Sequence, residues 1–144
     1  MYRRRNGALE FLLAHPGGPL WTKRDESSWS IPKGEAKDGE GELFATALRE
    51  FEEETGIKPK GEFISLGSVT QKSGKVVHAW AFEGDCDTGS VKSNTFKMEW
   101  PPRSGRFQEF PEIDRAEFFT IEEARKKINP AQVSLLEKLK EIIP

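Results

Sequence analysis

The chain has 144 residues, a length that suits one domain with a sizeable core. Its formal net charge is −2 at neutral pH, so it lacks the strongly basic balance of a protein that binds duplex nucleic acid. A single cysteine, Cys86, excludes an internal disulfide and a cysteine-rich zinc site. No apolar run reaches the roughly 18 residues of a membrane span, and no signal-peptide pattern opens the chain. We therefore expect one cytoplasmic domain over residues 1–144 that does not bind membranes.

The first predicted element is a β-hairpin. Asn6 and Gly7 form a strong two-residue turn signal between residues 2–5 and the apolar run 8–14. Residues 15–28 are rich in glycine, proline and charge, which is typical of a loop.

The next predicted element is a helix that ends near residue 55 and carries a stack of carboxylates. At about 100° per residue, Glu50, Glu53 and Glu54 fall within roughly a third of the helix circumference, and Glu52 points to the other side. Three like charges on one surface repel one another, and oxygen ligands of this kind suit Mg²⁺ or Mn²⁺. The spacing therefore predicts a divalent metal site on this helix.

A solvated acidic face is the alternative interpretation of a glutamate-rich helix. It does not account for the glycine-containing turn before the helix, or for Gly56, which stands where a glycine commonly ends a helix. Arg49 lies four positions before Glu53 and can brace it through an i, i+4 pair. The alternative for Arg49 is a surface ion pair worth under about 1 kcal/mol.

The remaining elements alternate between strand and loop before two helices close the chain. Strands are predicted at 62–69, 76–83, 95–100 and 117–120, with a turn at 72–75 and a loop at 103–111. A helix is predicted over 121–128 with Thr120 as its N-cap, followed by a last helix over 130–143.

The stretch from Gly34 to Ile57 resembles the Nudix box, Gly-x5-Glu-x7-Arg-Glu-apolar-x-Glu-Glu-x-Gly-apolar. Gly34 and Glu40 keep the opening spacing. Eight residues rather than seven separate Glu40 from Arg49, so either an extra residue sits near Gly41 or Glu42 takes the role of the early glutamate. The second half matches at all of its fixed positions, which are Arg49, Glu50, Phe51, Glu53, Glu54, Gly56 and Ile57.

The resemblance implies an α/β Nudix fold, which is an α/β/α sandwich with a mixed central sheet. It implies that Glu53 and Glu54 ligate a catalytic Mg²⁺ or Mn²⁺, with the backbone carbonyl of Gly34 as an additional ligand. Glu50 would be a metal ligand or the general base, and Arg49 would orient the neighbouring glutamates.

Family members often take a further ligand or base from a glutamate about six residues before an aromatic residue in the strand that precedes the C-terminal helix. Glu112 has this position, with Phe118 or Phe119 as the aromatic residue. Glu109 and Asp114 are competing candidates.

Binding of a phosphorylated substrate calls for cations and an aromatic surface. Lys33 lies immediately before the box, and Arg103 and Arg106 could contact distal phosphates through bidentate pairs. Trp29 is a candidate to stack on a base, and Trp100 and Phe107 are alternatives.

The leading functional hypothesis is Mg²⁺-dependent hydrolysis of a phosphoanhydride bond in a small-molecule nucleotide. The substrate would be a nucleoside triphosphate or a dinucleoside polyphosphate, since residues 29–35 are similar to Nudix members that cleave diadenosine polyphosphates. One alternative is a non-catalytic nucleotide-sensing module, and such modules typically lose box carboxylates that this chain keeps. Another is removal of pyrophosphate from RNA 5′ ends, which the net charge does not support. The nucleotide, the phosphorus attacked and the oligomeric state stay open.

Overall fold

The structure is a computed structural model that describes residues 1–32 and 43–143. Strands β1 (Tyr2–Arg5) and β2 (Ala8–Pro16) open the chain as an antiparallel hairpin. Asn6 and Gly7 at its turn have φ values of 53° and 77°, the left-handed conformation that a two-residue hairpin turn requires. The predicted hairpin is therefore confirmed.

Apart from the strand at Phe107–Pro111, the other elements follow the predicted order. They are helix α1 (Leu43–Thr55), strands β3 (Ile64–Thr70), β4 (Val76–Ala81), β5 (Thr95–Glu99), β6 (Phe107–Pro111) and β7 (Ile113–Thr120), and helices α2 (Ile121–Lys127) and α3 (Val133–Ile142). Single 3₁₀ turns lie at Thr88–Ser90 and Pro130–Gln132. No helix in the part of the chain described is long and apolar enough to cross a membrane.

The central layer is a sheet with both parallel and antiparallel pairs. Strand β2 pairs antiparallel with β1 on one side and with β7 on the other. The antiparallel pair β3–β4 joins this sheet through a parallel bridge between Tyr2 and Glu83. The N–H of Tyr2 donates to the carbonyl of Phe82 at 3.0 Å, and Gly84 donates back to Tyr2 at 2.9 Å.

Helices cover both faces of the sheet, because alternate residues of a strand point to opposite faces. Phe11 and Leu13 of β2 belong to a core cluster that includes the buried residues of α2 and α3. Leu12 between them belongs to a second cluster with Phe51 of α1. The molecule is thus an α/β/α sandwich, as expected.

The sequence prediction of a loop over 103–111 holds for residues 103–106 and is wrong for residues 107–111. Phe107–Pro111 forms β6 and pairs with β5 in a separate two-stranded sheet. Strand β7 begins at Ile113 rather than near residue 117. Strand β7 pairs with β2, which is distant in sequence, so local patterns cannot indicate where β7 begins. Strand β6 pairs with β5 across residues 100–106, a connection too long to carry the signal of a two-residue turn.

The ends of the two C-terminal helices also differ in detail. Thr120 is the N-cap of α2, but its side chain makes no capping hydrogen bond. The last helix begins at Val133, since the side chain of Asn129 accepts the N–H of Ala131 and caps a separate 3₁₀ turn.

Candidate functional site

Helix α1 carries the candidate carboxylates, and its rotation is set by aromatic packing. The ring of Phe51 lies 5.1 Å from the ring of Phe82, and Phe44 lies 5.3 Å from Trp80, measured between centroids. Such large apolar contacts anchor one side of a helix against the sheet. The glutamates therefore emerge along the border and the outer side of α1.

The glutamates differ in exposure as the helical phase predicts. The side chain of Glu50 is 14% exposed, and that of Glu53 is 38% exposed. Glu54 is partly buried, whereas Glu52 is exposed. Glu50 also borders an apolar cavity of about 330 Å³ lined by residues of α1, β4 and α3.

Arg49 connects two of these carboxylates. Its guanidinium donates to Oε1 of Glu53 at 3.0 Å and lies 3.2 Å from Oε1 of Glu50. The predicted contact with Glu53 is confirmed, and the contact with Glu50 is additional. Because Arg49 is 44% exposed, we attribute to it an orienting role for the two carboxylates more than a large share of stability.

Within residues 1–32 and 43–143, no three acidic, histidine or cysteine side chains converge closely enough to enclose a metal ion. The guanidinium of Arg49 places a positive charge next to Glu50 and Glu53, where a metal ion would bind. The donors nevertheless have the chemistry that Mg²⁺ or Mn²⁺ requires, since carboxylates on adjacent turns of one helix offer hard oxygen atoms. Ligation by Glu50, Glu53 and Glu54 stays a prediction.

The C-terminal end of α1 is closed by Gly56. This residue has a φ of 75°, and its N–H donates to the carbonyl of Glu52 at 2.7 Å. The hydroxyl of the buried Thr55 donates to the carbonyl of Phe51 at 2.7 Å and accepts the N–H of Ile57 at 3.1 Å. The predicted role of Gly56 as the residue that ends the helix is confirmed.

The segment before β5 joins the end of α1 to Glu112. The N–H of Asn94 donates to the carbonyl of Glu53 at 3.1 Å, and the carbonyl of Asn94 accepts the N–H of Glu112 at 2.9 Å. Glu112 lies exposed at the break between β6 and β7. Two successive backbone hydrogen bonds thus link Glu112 with the helix that carries the box glutamates, which favours it as the additional ligand or base.

The two competing carboxylates have other partners. Oδ1 of Asp114 lies 2.8 Å from Nδ1 of the buried His15, whose Nε2 contacts the carbonyl of Arg24 at 2.6 Å. Oε1 of Glu109 accepts the hydroxyl of Thr95 at 3.1 Å across the β5–β6 pair. Glu112 therefore remains the best candidate, and its role is a prediction.

Arg103 and Arg106 lie at the far end of the β5–β6 hairpin from Glu112. The five residues of β6 separate them from the break, a distance of roughly 16 Å at about 3.3 Å per residue. Arg103 has a φ of 62°, and its N–H donates to Oε1 of Glu99 at 2.7 Å. Strand β6 therefore separates these two arginines from Glu112.

Trp29 is a core residue, so the prediction that it stacks on a substrate base is wrong. It is 1% exposed, and its ring lies 5.1 Å from the rings of both His15 and Phe119. Its indole N–H donates to Oδ1 of Asp25 at 2.8 Å, which satisfies the only polar atom of the side chain.

Four predicted site residues lie outside the described residues, namely Lys33, Gly34, Glu40 and Glu42. One contributor was missed by the sequence analysis. Asn94 acts through its backbone, and no side-chain pattern in the sequence marks such a residue.

Comparison with known proteins gives a match over most of the chain. A family model described as NUDIX domain matches residues 2–139. A search of curated proteins finds no match.

Three solved structures share the fold. A C. elegans Ap4A hydrolase in a binary complex is 23% identical, with a TM-score of 0.67 over 99% of this chain and 92% of that one. The NUDIX domain of Shewanella oneidensis NrtR, complexed with ADP-ribose, is 14% identical, with a TM-score of 0.64 over 99% and 83%. The E. coli ORF135 protein is 24% identical, with a TM-score of 0.54 over 98% and 85%. At these identities the similarity shows the fold alone.

Proposed function

We propose that this chain, which belongs to the NUDIX family, hydrolyses a phosphoanhydride bond of a nucleotide with the help of Mg²⁺ or Mn²⁺. The observation that carries this proposal is the arrangement on α1. Glu50 and Glu53 are both held by Arg49, and Glu54 follows at the next position of the same helix.

The chemistry makes three demands on the site. Phosphate charge must be neutralised, a water molecule must be positioned in line, and the leaving phosphate must be stabilised. A bound divalent cation would supply the first and lower the pKa of a bound water. Glu53 and Glu54 would hold that cation, and Glu50 would act as a ligand or as the general base. Arg49 would keep Glu50 and Glu53 in place.

The substrate that we propose is a nucleoside triphosphate or a dinucleoside polyphosphate. The neighbouring structures support a nucleotide ligand, because one is an Ap4A hydrolase and another was solved with ADP-ribose. Lys33 is the cation that we assign to the phosphates at α1, and Arg103 and Arg106, at the far end of the β5–β6 hairpin, would contact distal phosphates. Glu112 would contribute from beside the end of α1.

A nucleotide-sensing module without turnover is the second candidate. The structure with ADP-ribose supports binding as a function of this fold. Retention of Glu50, Glu53 and Glu54 favours the enzyme, because binding alone does not require three repelling carboxylates on one helix.

The test is a panel of nucleoside triphosphates, dinucleoside polyphosphates and capped or triphosphorylated RNA, each with Mg²⁺ or Mn²⁺. Chromatography of the products reports both turnover and the bond that is cleaved. We expect metal-dependent cleavage of at least one small nucleotide. If the protein binds nucleotides of the panel but cleaves none of them, the chain belongs to the sensing class.

A further inference from the structure

The β5–β6 hairpin carries large apolar side chains that neither core cluster includes. It forms its own two-stranded sheet. Phe107 is 68% exposed, and the others remain partly exposed. These side chains are Phe96, Met98, Trp100, Phe107 and Phe110.

Four of these side chains share one face of the hairpin. Successive residues of a strand alternate between faces, so Phe96, Met98 and Trp100 lie on the same side. Phe110 is the cross-strand partner of Phe96, with 6.0 Å between ring centroids. We name Phe96, Met98, Trp100 and Phe110 the aromatic face. Phe107 pairs with Glu99 and belongs to the opposite face.

The hairpin that carries the aromatic face begins and ends beside the candidate site. Asn94, which bonds to the carbonyl of Glu53, immediately precedes β5, and Glu112 immediately follows β6. Each five-residue strand extends roughly 16 Å from this base. A ligand with phosphates beside α1 can therefore extend along the hairpin.

A neighbouring loop closes the lower end of the aromatic face. A Cβ atom placed on Gly18 would lie 2.9 Å from Cζ of Phe96, so the backbone of the loop touches this ring directly. The same loop presents Trp21, whose side chain is 37% exposed and lies 5.2 Å from the guanidinium of Arg24. The loop that carries Trp21 thus contacts the aromatic face at Phe96.

Two arginines, Arg103 and Arg106, lie at the far end of the same hairpin. Arg106 is opposite Trp100, since Trp100 donates its N–H to the carbonyl of Arg106 at 2.9 Å. In the described part of the chain, the guanidinium groups of Arg103 and Arg106 form no ion pair. The hairpin carboxylates of Glu99 and Glu109 accept hydrogen bonds from within the hairpin.

We propose that the aromatic face binds a nucleobase of the substrate, with Trp100 as the main stacking residue and Arg106 as a phosphate contact. This inference rests on the proposed nucleotide substrate. Aromatic rings stack on any base, and guanidinium groups bind phosphate, so the combination fits a nucleoside phosphate. The face discriminates little among bases, because stacking does not read base edges.

The test compares two ligands that differ only in the nucleoside, α,β-methylene-ADP and methylenediphosphonate, both resistant to cleavage. Dissociation constants are measured by calorimetry with Mg²⁺. Trp100→Ala should raise the constant for α,β-methylene-ADP about tenfold, as expected for one lost stack. It should leave the constant for methylenediphosphonate within about twofold, because that ligand has no base.

Phe107→Ala is the matched control on the opposite face of the same hairpin and should change neither constant more than about twofold. Trp100→Phe should restore most of the affinity for α,β-methylene-ADP, and methylenediphosphonate binding by Trp100→Ala reports an intact fold. Equal losses in Trp100→Ala and Phe107→Ala would overturn the proposal. Failure of the wild-type protein to bind α,β-methylene-ADP would overturn it as well, because the face is expected to accept any base.

Sedimentation of the same variants separates this proposal from self-association. A dimer lost in Trp100→Ala with unchanged nucleotide affinity would identify the face as an interface between copies and overturn base binding. Turnover is measured separately from binding. Suppose that Trp100→Ala loses binding of α,β-methylene-ADP and that the wild-type protein turns over no nucleotide. Base binding by the aromatic face would then be supported, and the proposed hydrolysis would be refuted.

Discussion

Glu53 makes two contacts near the candidate site, one through its side chain and one through its backbone. Its carboxylate accepts a hydrogen bond from Arg49, and its backbone carbonyl accepts the N–H of Asn94, which leads on to Glu112. A substitution of the side chain removes only the first of these contacts. The function of the carboxylate can therefore be tested without disturbing the backbone link that places Glu112.

Replacement of the carboxylates by amides should separate functional from surface glutamates. We expect Glu53→Gln and Glu54→Gln each to lower turnover at least about a hundredfold, since a charge that acts in the transition state is lost. Glu52→Gln, at an exposed position of the same helix, should change turnover less than about threefold. Steady-state kinetics on the substrate found in the panel gives these values. Equal activity of Glu53→Gln and the wild-type protein would refute the metal-site assignment.

At the scale of elements, the end of α1 and the segment 92–94 form one structural unit. The N–H groups of Lys92 and Asn94 bond to the carbonyls of Thr55 and Glu53. A Cβ atom on Gly56 would lie 3.2 Å from the carbonyl oxygen of Lys92. Close packing at Gly56 is thus part of what places Glu112 beside the helix.

Gly56→Ala tests this packing, with Gly7→Ala as a control of nearly the same φ. Each variant places a side chain in the left-handed region, at a cost of roughly 1–2 kcal/mol. A Cβ atom added at Gly7 would have no atom within 4 Å, whereas one added at Gly56 would lie against the carbonyl oxygen of Lys92. Urea denaturation should therefore show a larger loss of unfolding free energy for Gly56→Ala. Equal losses of unfolding free energy in the two variants would mean that residues 92–94 move without cost to make room for the added methyl group.

A second link between elements holds the loop before Trp29 against α2. Asp25 pairs with the ammonium of Lys127 and accepts the indole N–H of Trp29. The hydrogen bond from Lys127, followed by that from Trp29, lowers the pKa of the Asp25 carboxyl. The ionised Asp25 carboxylate therefore stabilises the folded state at pH values above its unfolded-state pKa of about 3.9. This stabilisation is lost as the pH falls through the lower folded-state pKa.

Asp25→Asn should consequently be less stable than the wild-type protein at pH 7, and the difference should shrink below about pH 4. Urea denaturation over a pH series measures the difference. The difference in stability between Lys127→Met and the wild-type protein should also shrink below about pH 4, because this variant removes the charge that pairs with Asp25. A difference that stays constant down to pH 2 would show that charge at Asp25 does not contribute.

For the whole molecule, the sandwich would couple the proposed cation binding to folding. Helix α1 packs on the sheet through Phe44 and Phe51, so the proposed ligands keep their relative positions only in the folded state. A ligand that binds the folded state alone stabilises it by mass action, by about 2.7 kcal/mol at a hundredfold excess over its dissociation constant.

Mn²⁺ or Mg²⁺ should accordingly raise the melting temperature of the wild-type protein. The rise should be much smaller in the double variant Glu53→Gln/Glu54→Gln and unaltered in Glu52→Gln. Thermal denaturation with and without the cation measures it. The same rise in the double variant would place the cation elsewhere.

The sequence alone determined the features that arise from contacts between near neighbours. Asn6-Gly7 specifies its turn through the backbone conformations that these residues accept, and Gly56 ends α1 for the same reason. The spacing of Arg49 and Glu53 produces their contact on one helical turn. The family itself followed from the spacing of the box residues.

Only the tertiary structure decided which distant groups meet. Trp29 has the flanking sequence of a surface candidate but is enclosed by His15 and Phe119, which lie on other elements. Strand β7 extends back to Ile113 because it pairs with β2 at the start of the chain, and Glu112 lies beside α1 because Asn94 bridges them. Burial and strand pairing depend on residues far away in sequence, so periodicity and turn chemistry, which act over a few residues, cannot specify them.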